Sequence, residues 1–142
     1  GLKKEDAVVK SIRTTADFFF VWLKRTHADI LGNVKELEKK VKKAKTLGVS
    51  LTITPNNTAK PGLKDVYVRI TSPEGNLLKG NGSFSAEGTQ LEYTTKRQVE
   101  YANEELSTVI YWDVNTSLTA GEYTVEIFID GNRLTSRRFT LN

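Results

Sequence analysis

The sequence predicts a mainly β protein built as an antiparallel β-sandwich, and three observations support this fold class. Several short segments after residue 46 alternate apolar and polar residues, as strands with one buried face do. Turn-forming residues, chiefly Gly, Pro, Asn and Asp, separate these segments at short intervals. The chain of 142 residues is long enough to bury one substantial core and suits a single domain.

Residues 1–45 allow two interpretations. Apolar residues recur at three- and four-residue spacing through most of this segment, which matches a coiled-coil-like helix. Asp17–Leu23, in contrast, is rich in aromatic and β-branched residues, which favour strands. We expect a short helical lead-in over residues 1–8, then a strand that ends near residue 24, then a loop over residues 26–40.

The remaining strands follow in order. Segments near 47–53, 66–70, 107–114 and 123–129 alternate apolar and polar residues, and residues 91–101 fit either one long strand or a bent pair. After the last of these segments, Asp130-Gly131 accepts the positive φ of a tight hairpin. Leu134 and Phe139 differ in parity, so a β-bulge is required if both face the core. Residues 9–142 are therefore predicted to form the sandwich domain, with Val68, Ile70, Val125 and Ile127 in its core.

The segment before the final hairpin carries a recognisable pattern. Leu118, Gly121, Tyr123 and Val125 are spaced as at the start of the penultimate strand of immunoglobulin-like sandwiches, which this segment resembles. The resemblance implies an immunoglobulin-like β-sandwich. It also implies that Tyr123 is a tyrosine corner, whose ring is buried and whose hydroxyl bonds to upstream backbone.

A narrower resemblance covers about residues 40–142. Lys45–Leu51, Asn57–Gly62, Val66–Gly75 and the closing hairpin are similar to the C-terminal domain of uncharacterised gut-bacterial envelope coiled-coil proteins. That resemblance implies a membrane anchor and a coiled coil upstream. It further implies a periplasmic or cell-surface location, a homo-oligomer formed through the coiled coil, and no catalytic residue.

Side chains suited to catalysis or metal binding are sparse. His27 is the only histidine, the chain has no Cys, and no Gly-x-Ser-x-Gly motif surrounds any serine. A metal site at His27 and Asp29 would lack an identifiable third ligand. We therefore expect no enzymatic activity, no catalytic residue, no metal and no cofactor, with His27 in a structural or surface role.

The positive charge lies in the first third of the chain. Residues 1–50 contain twelve Lys or Arg against six Asp or Glu, whereas the whole chain has a net charge of +4. The densest block, Lys39–Lys45, suits contact with phosphate, anionic lipid or acidic polysaccharide. Because charged segments commonly serve solubility, we expect this block to be a solvated face and expect no nucleic-acid partner.

Four aromatic residues are the candidate binding residues: Tyr67, Tyr111, Trp112 and Phe128. Tyr67 and Phe128 are opposite in parity to the apolar faces of their strands, whereas Tyr111 and Trp112 straddle both faces of theirs, so one of that pair could share an outer face with them. On a shared face they would form a platform for a protein or a glycan, unless residues 8–24 or a second chain cover it. A continuous apolar face would favour a protein, whereas surface aromatics in a row with flanking Asn or Asp would favour a sugar. We expect a non-enzymatic cell-envelope module for protein interaction or assembly. The alternative is a carbohydrate-binding β-sandwich that uses surface aromatics.

Overall fold

The computed structural model of the chain describes residues 20–24, 41–53 and 61–142. The strands in these residues are β1 (Phe20–Lys24), β2 (Thr46–Ile53), β3 (Gly62–Thr71), β4 (Ser83–Ala86), β5 (Thr89–Glu92), β6 (Thr95–Tyr101), β7 (Leu106–Asp113), β8 (Gly121–Ile129) and β9 (Asn132–Leu141), and a 3-10 turn spans Val41–Lys43. Within the same ranges, no helix is long and apolar enough to cross a membrane.

The strands pair in an antiparallel manner and form three sheets. The first has the order β1-β2-β7, the second β6-β3-β8-β9, and the third is the two-stranded β4-β5 hairpin. The first two sheets contribute to one apolar core, as the layers of a sandwich do. The predicted mainly β, sandwich-like architecture and the strand ending at Lys24 are therefore confirmed. The predicted lead-in over residues 1–8 and loop over 26–40 lie outside the described residues.

Alternating side chains build the core, as the sequence pattern predicted. Val68 and Ile70 on β3 pair directly with Ile127 and Val125 on β8, and each of the four is at most 2% exposed. They are thus cross-strand neighbours in one sheet, and they share their cluster with residues of β2 such as Leu47. Full burial of an aliphatic side chain of this size stabilises a fold by about 1.5–3 kcal/mol.

Two tight turns adopt positive φ. Asp130 (φ 53°) and Gly131 (φ 79°) connect β8 to β9, as their residue types predicted. Glu87 (φ 51°) and Gly88 (φ 77°) connect β4 to β5 in the same way, in a hairpin that the sequence interpretation missed. The Glu87 backbone N–H donates to the Gly131 carbonyl at 2.8 Å, so the two turns are bonded to each other.

The predicted bulge lies at Leu134. The register between β8 and β9 shifts between Ile127 and Phe128, and Leu134 is the residue of β9 that has no direct partner there. Because of this shift, Leu134 is buried in the core at 2% exposure. Phe139 packs against the same core, although regular alternation along β9 would point the two side chains to opposite faces. The bulge in edge strand β9 thus lets both side chains face the core.

The start of β8 is held by Tyr123. Its ring is 1% exposed, and its hydroxyl donates to the Thr119 carbonyl at 2.6 Å, which confirms the expected bond to upstream backbone. The Thr119 hydroxyl in turn donates to Glu74 Oε2 at 2.5 Å, and this bond lowers the pKa of Glu74 below its usual value. A Cβ on Gly121 (φ 147°) would lie 2.7 Å from Pro73 Cγ, so the backbone requires glycine there.

Candidate functional site

The β4-β5 hairpin covers the outer face of the four-stranded sheet. The Phe84 ring stacks on Tyr67 with centroids 4.2 Å apart and meets Phe128 edge-on at 5.1 Å. Phe128 is 2% exposed, so the prediction of an exposed platform containing Tyr67 and Phe128 is wrong. The cover is a hairpin of the chain itself, which the sequence interpretation did not consider.

Hydrogen bonds fix this hairpin to the sheet. Arg69 lies on β3, and its Nε donates to the Glu92 carbonyl at the end of β5 over 2.8 Å. The same guanidinium bonds to Glu126, which also accepts from Arg133 at 3.1 Å. The hairpin is thus held at its base by Arg69 and at its tip by the bond between the two turns.

An open groove lies beside the hairpin, where the end of β7 runs next to the start of β6. Its volume is 710 Å³, and its walls come from residues 80–81, 93–96 and 111–113, together with Asn115. Ligand sites in proteins commonly have volumes of about 300–1,000 Å³. The groove is therefore the candidate functional site.

Close backbone packing builds one wall of the groove. A Cβ on Gly80 would clash with the Thr94 carbonyl oxygen, so only glycine lets this loop approach the connection between β5 and β6. The buried Thr94 hydroxyl accepts from the Ile70 N–H at 2.8 Å and donates to the Leu78 carbonyl. These bonds satisfy polar groups in the interior and hold the loop in place.

Side chains of β6 join the two large sheets along the other wall. The Thr95 hydroxyl donates to the Tyr111 carbonyl at 2.8 Å, and Arg97 Nη1 donates to the Val109 carbonyl at 2.7 Å. These carbonyls lie on β7, the outer strand of its sheet among the described residues. Thr95 thus lies beside Tyr111 and Arg97 beside Val109, which fixes the register of the two strands.

Three polar side chains offer hydrogen-bonding groups to the groove. Asn81 Oδ1 accepts from the Tyr93 hydroxyl at 3.0 Å, so its amide NH₂ is left as a donor. Asn115 Nδ2 donates to the Lys79 carbonyl at 3.0 Å, so its amide oxygen is left as an acceptor. Asp113 accepts one long bond, 3.4 Å, from the Thr46 hydroxyl. Within the described ranges, these are the side-chain bonds of all three residues.

Lys96 supplies a positive charge at the rim. Its Nζ lies 5.9 Å from the centroid of the Tyr67 ring and 5.8 Å from that of Tyr93, within the range of a cation–π contact. No carboxylate in the described part of the chain forms an ion pair with it. The two rings therefore position an ammonium group whose charge no acidic side chain there neutralises.

The structure places the four predicted binding residues in different environments. Tyr111 and Trp112 both line the groove, but Trp112 is 5% exposed and belongs to the core, so Tyr111 is the member of this pair that offers ring surface to the groove. Tyr67 supports Lys96 from beside the groove, and Phe128 takes no part in it. Sequence reasoning missed Lys96, because nothing in the local pattern distinguishes it from a solvated surface lysine.

Other predicted features are either outside the described residues or unremarkable. His27 lies outside them, and within them no group of three or more His, Asp or Glu is placed to hold a metal ion. Of the lysine block, Lys42 and Lys45 are exposed while Val41 and Ala44 are buried. Whether the block has a binding role stays a prediction.

Comparison with solved structures gives distant likenesses within larger chains. A β-glucosidase from Kluyveromyces marxianus matches at 12% identity and a TM-score of 0.45, over 87% of this chain and 14% of that one. An alkylpurine DNA glycosylase from Pseudomonas fluorescens matches at 14% identity and a TM-score of 0.37, over 69% and 26%. A family 123 glycoside hydrolase from Clostridium perfringens matches at 12% identity and a TM-score of 0.30, over 86% and 26%. This chain spans a small part of each.

Comparison with the curated proteins finds no match. A family profile does match, and it extends over residues 27–142, which is well over half of the chain. The profile begins after β1 and includes the groove, the β4-β5 hairpin, the whole four-stranded sheet and strands β2 and β7 of the other large sheet. The chain therefore belongs to the family described as Domain of unknown function (DUF8428).

Proposed function

We propose that this chain is a non-enzymatic carbohydrate-binding module of the bacterial cell envelope. The observation that carries the ligand class is the open 710 Å³ groove, whose walls combine aromatic, amide, carboxylate and ammonium side chains. Of the two functions that the sequence suggested, the groove favours the carbohydrate, since half-buried Tyr111 lines its wall together with Asp113 and Asn115.

The hydrogen-bonding groups suit hydroxyls in particular. A sugar hydroxyl both donates and accepts, so a site for it needs both kinds of partner. Lys96 and the Asn81 amide NH₂ donate, whereas Asp113 and the Asn115 amide oxygen accept. Tyr111 adds apolar ring surface, which suits the C–H faces of a sugar. The groove is open to solvent, so it accommodates part of a longer glycan.

The sandwich that carries the groove is proposed to be immunoglobulin-like. Two features support this topology. The two large sheets have the orders β1-β2-β7 and β6-β3-β8-β9, which correspond to ABE and C′CFG in immunoglobulin-like notation. The Tyr123 hydroxyl bonds to backbone four residues upstream, as in a tyrosine corner. In this assignment, β4-β5 is an insertion between strands C and C′.

The location is proposed from the resemblance of residues 40–142 to gut-bacterial envelope proteins. We place the domain in the periplasm or at the cell surface, held near the membrane by an anchor and a coiled coil upstream. A coiled coil would display several copies together. Because linked copies bind a multivalent ligand with raised avidity, weak binding by each groove would suffice.

A protein partner, the function first expected from the sequence, has less support. Among the described residues, the only large hydrophobic side chain that is clearly exposed is Leu63. The outer edge of β7 is bonded by Thr95 and Arg97, and the edge strand β9 carries a bulge and exposed Arg138. Charges and bulges hinder the addition of a further strand. A protein would therefore have to use polar contacts.

The test is a titration of the ¹⁵N-labelled domain with neutral and acidic oligosaccharides, followed by NMR and isothermal calorimetry. We expect shifts of backbone signals confined to the groove segments. Asn81→Ala and Asp113→Asn should each weaken binding about fivefold, since each removes about one net hydrogen bond. Glu105→Gln, an exposed change in the turn between β6 and β7, is the matched control and should bind normally.

Two results would contradict the proposal. One is the absence of binding by any oligosaccharide at millimolar concentration. The other is binding that the two groove variants leave unchanged, because the glycan would then lie elsewhere. Thermal unfolding of each variant checks that a loss of binding is not a loss of fold.

A further inference from the structure

We infer that the groove prefers acidic oligosaccharides, with a negatively charged sugar bound at Lys96. This inference rests on the proposed carbohydrate function and specifies its ligand class. It names a saccharide that carries a carboxylate or a sulfate, and it gives the bound chain a direction along the groove.

The unpaired positive charge of Lys96 indicates an anionic ligand. Its ammonium is held over the Tyr67 and Tyr93 rings and has no acidic partner in the described part of the chain. General basicity of the part of the chain that forms the groove does not explain it, because residues 51–142 contain nine Lys or Arg against eleven Asp or Glu. A cation fixed by aromatic rings at the rim of a groove is placed to attract an anion.

Asp113 lies far enough from Lys96 to repel the bound anion only weakly. Thr95 lies beside Tyr111 and Arg97 beside Val109, so Lys96 lies level with Ile110. Asp113 is therefore three residues farther along the strands, which is about 10 Å. That distance is close to the screening length at physiological ionic strength, so the repulsion is weak.

These positions assign different tasks to the two ends of the groove. The anionic group of the ligand pairs with Lys96 at one end. Asp113 and Asn115, at the other end, accept hydrogen bonds from neutral hydroxyls. The ligand is therefore a short chain that carries its acidic sugar at the Lys96 end, and a uniformly charged polymer would fit less well than a chain of mixed sugars.

The test compares one short, otherwise neutral oligosaccharide in two forms, one ending in a galacturonic acid and the other ending in its methyl ester, which removes the negative charge and adds only a methyl group. Calorimetry should give tighter binding of the acid by about fivefold, the effect of one partly exposed ion pair. Raising the salt concentration should reduce this preference. A sulfated galactose oligomer in the same series distinguishes a general anion site from one specific for carboxylates.

Three variants connect the preference to Lys96. Lys96→Gln should bring the ratio of the two affinities to about one while the ester binds as before, and Lys96→Arg should keep the preference because it keeps the charge. Lys79→Gln removes an exposed lysine that does not line the groove and is the charge-matched control.

The outcomes separate the inference from the function on which it rests. Equal binding of acid and ester by the unmodified domain overturns the inference, and so does an equal loss of preference in Lys79→Gln. In both cases, carbohydrate binding itself stands. If neither these ligands nor any neutral oligosaccharide binds, the proposed function fails as well.

Discussion

Replacing Tyr123 by Phe removes one hydroxyl from the start of β8 and leaves the ring in place. The hydroxyl donates to the Thr119 carbonyl at 2.6 Å, and the residue is 1% exposed. The change therefore deletes one buried hydrogen bond and leaves a carbonyl without that partner. We expect the free energy of unfolding to fall by about 0.5–1.5 kcal/mol, measured by urea titration at pH 7.

The same substitution has a pH signature. Burial raises the pKa of Tyr123 above its usual value, and the charge of Glu74 adds to the effect. A folded-state pKa that is raised means stability that is complete below the unfolded pKa of about 10 and is lost as the pH rises towards the folded value. The unmodified domain should thus lose stability above about pH 10, and Tyr123→Phe should lose less.

Tyr123→Ala provides the larger comparison. It removes the ring as well and should cost about 3–5 kcal/mol through lost burial and the cavity that remains. If Tyr123→Phe changed the free energy of unfolding by less than about 0.3 kcal/mol and kept the full loss of stability above pH 10, the hydroxyl would have no structural role. The tyrosine-corner assignment would then fail.

Two further substitutions test other parts of the fold by the same titration. Gly121→Ala should cost about 1–3 kcal/mol, because its Cβ would lie 2.7 Å from Pro73; Gly62→Ala, which has a similar φ and open space, should cost less. Phe84→Ala should cost about 3–5 kcal/mol by uncovering the sheet under the hairpin, whereas exposed Gln90→Ala should change little. Equal costs within either pair would contradict the packing argument.

The main elements of the fold follow from local patterns in the sequence. Strict alternation puts all the apolar side chains of a strand on one face, and that face must pack against the core. This is why four residues are buried as predicted: Val68, Ile70, Val125 and Ile127. The turn at Asp130-Gly131 and the bulge near Leu134 follow from backbone preference and parity, which are also local. Such features are predictable because each depends on a few neighbouring residues.

The β4-β5 hairpin was not predictable in the same way. Its strands have only four residues each, and its Glu87-Gly88 turn puts a non-glycine residue at positive φ. The outward parity of Phe128 correctly placed it on the outer face of the sheet, but parity does not say what covers that face. The answer depends on Phe84, which lies far away in the sequence and stacks on Tyr67.

The groove was even less predictable from local sequence patterns than the β4-β5 hairpin. Its walls come from three segments that meet only after the sheets have formed, and the position of Lys96 depends on rings from β3 and β5–β6. Tyr111 and Trp112 were identified as neighbouring aromatics on a predicted strand, yet only the packing of the core shows that Trp112 is the buried one of the two. Binding residues that are separated in sequence require the tertiary structure.

The hydrogen bonds from Thr95 and Arg97 to the carbonyls of β7 affect how the domain behaves when many copies lie close together. A bare strand edge is a template on which neighbouring molecules stack into fibrils, and the risk grows with local concentration. At this edge, side chains already occupy two of the acceptors, and the bulge at Leu134 distorts the edge on the opposite side of the molecule. Stacking of densely packed copies through these two edges is therefore hindered.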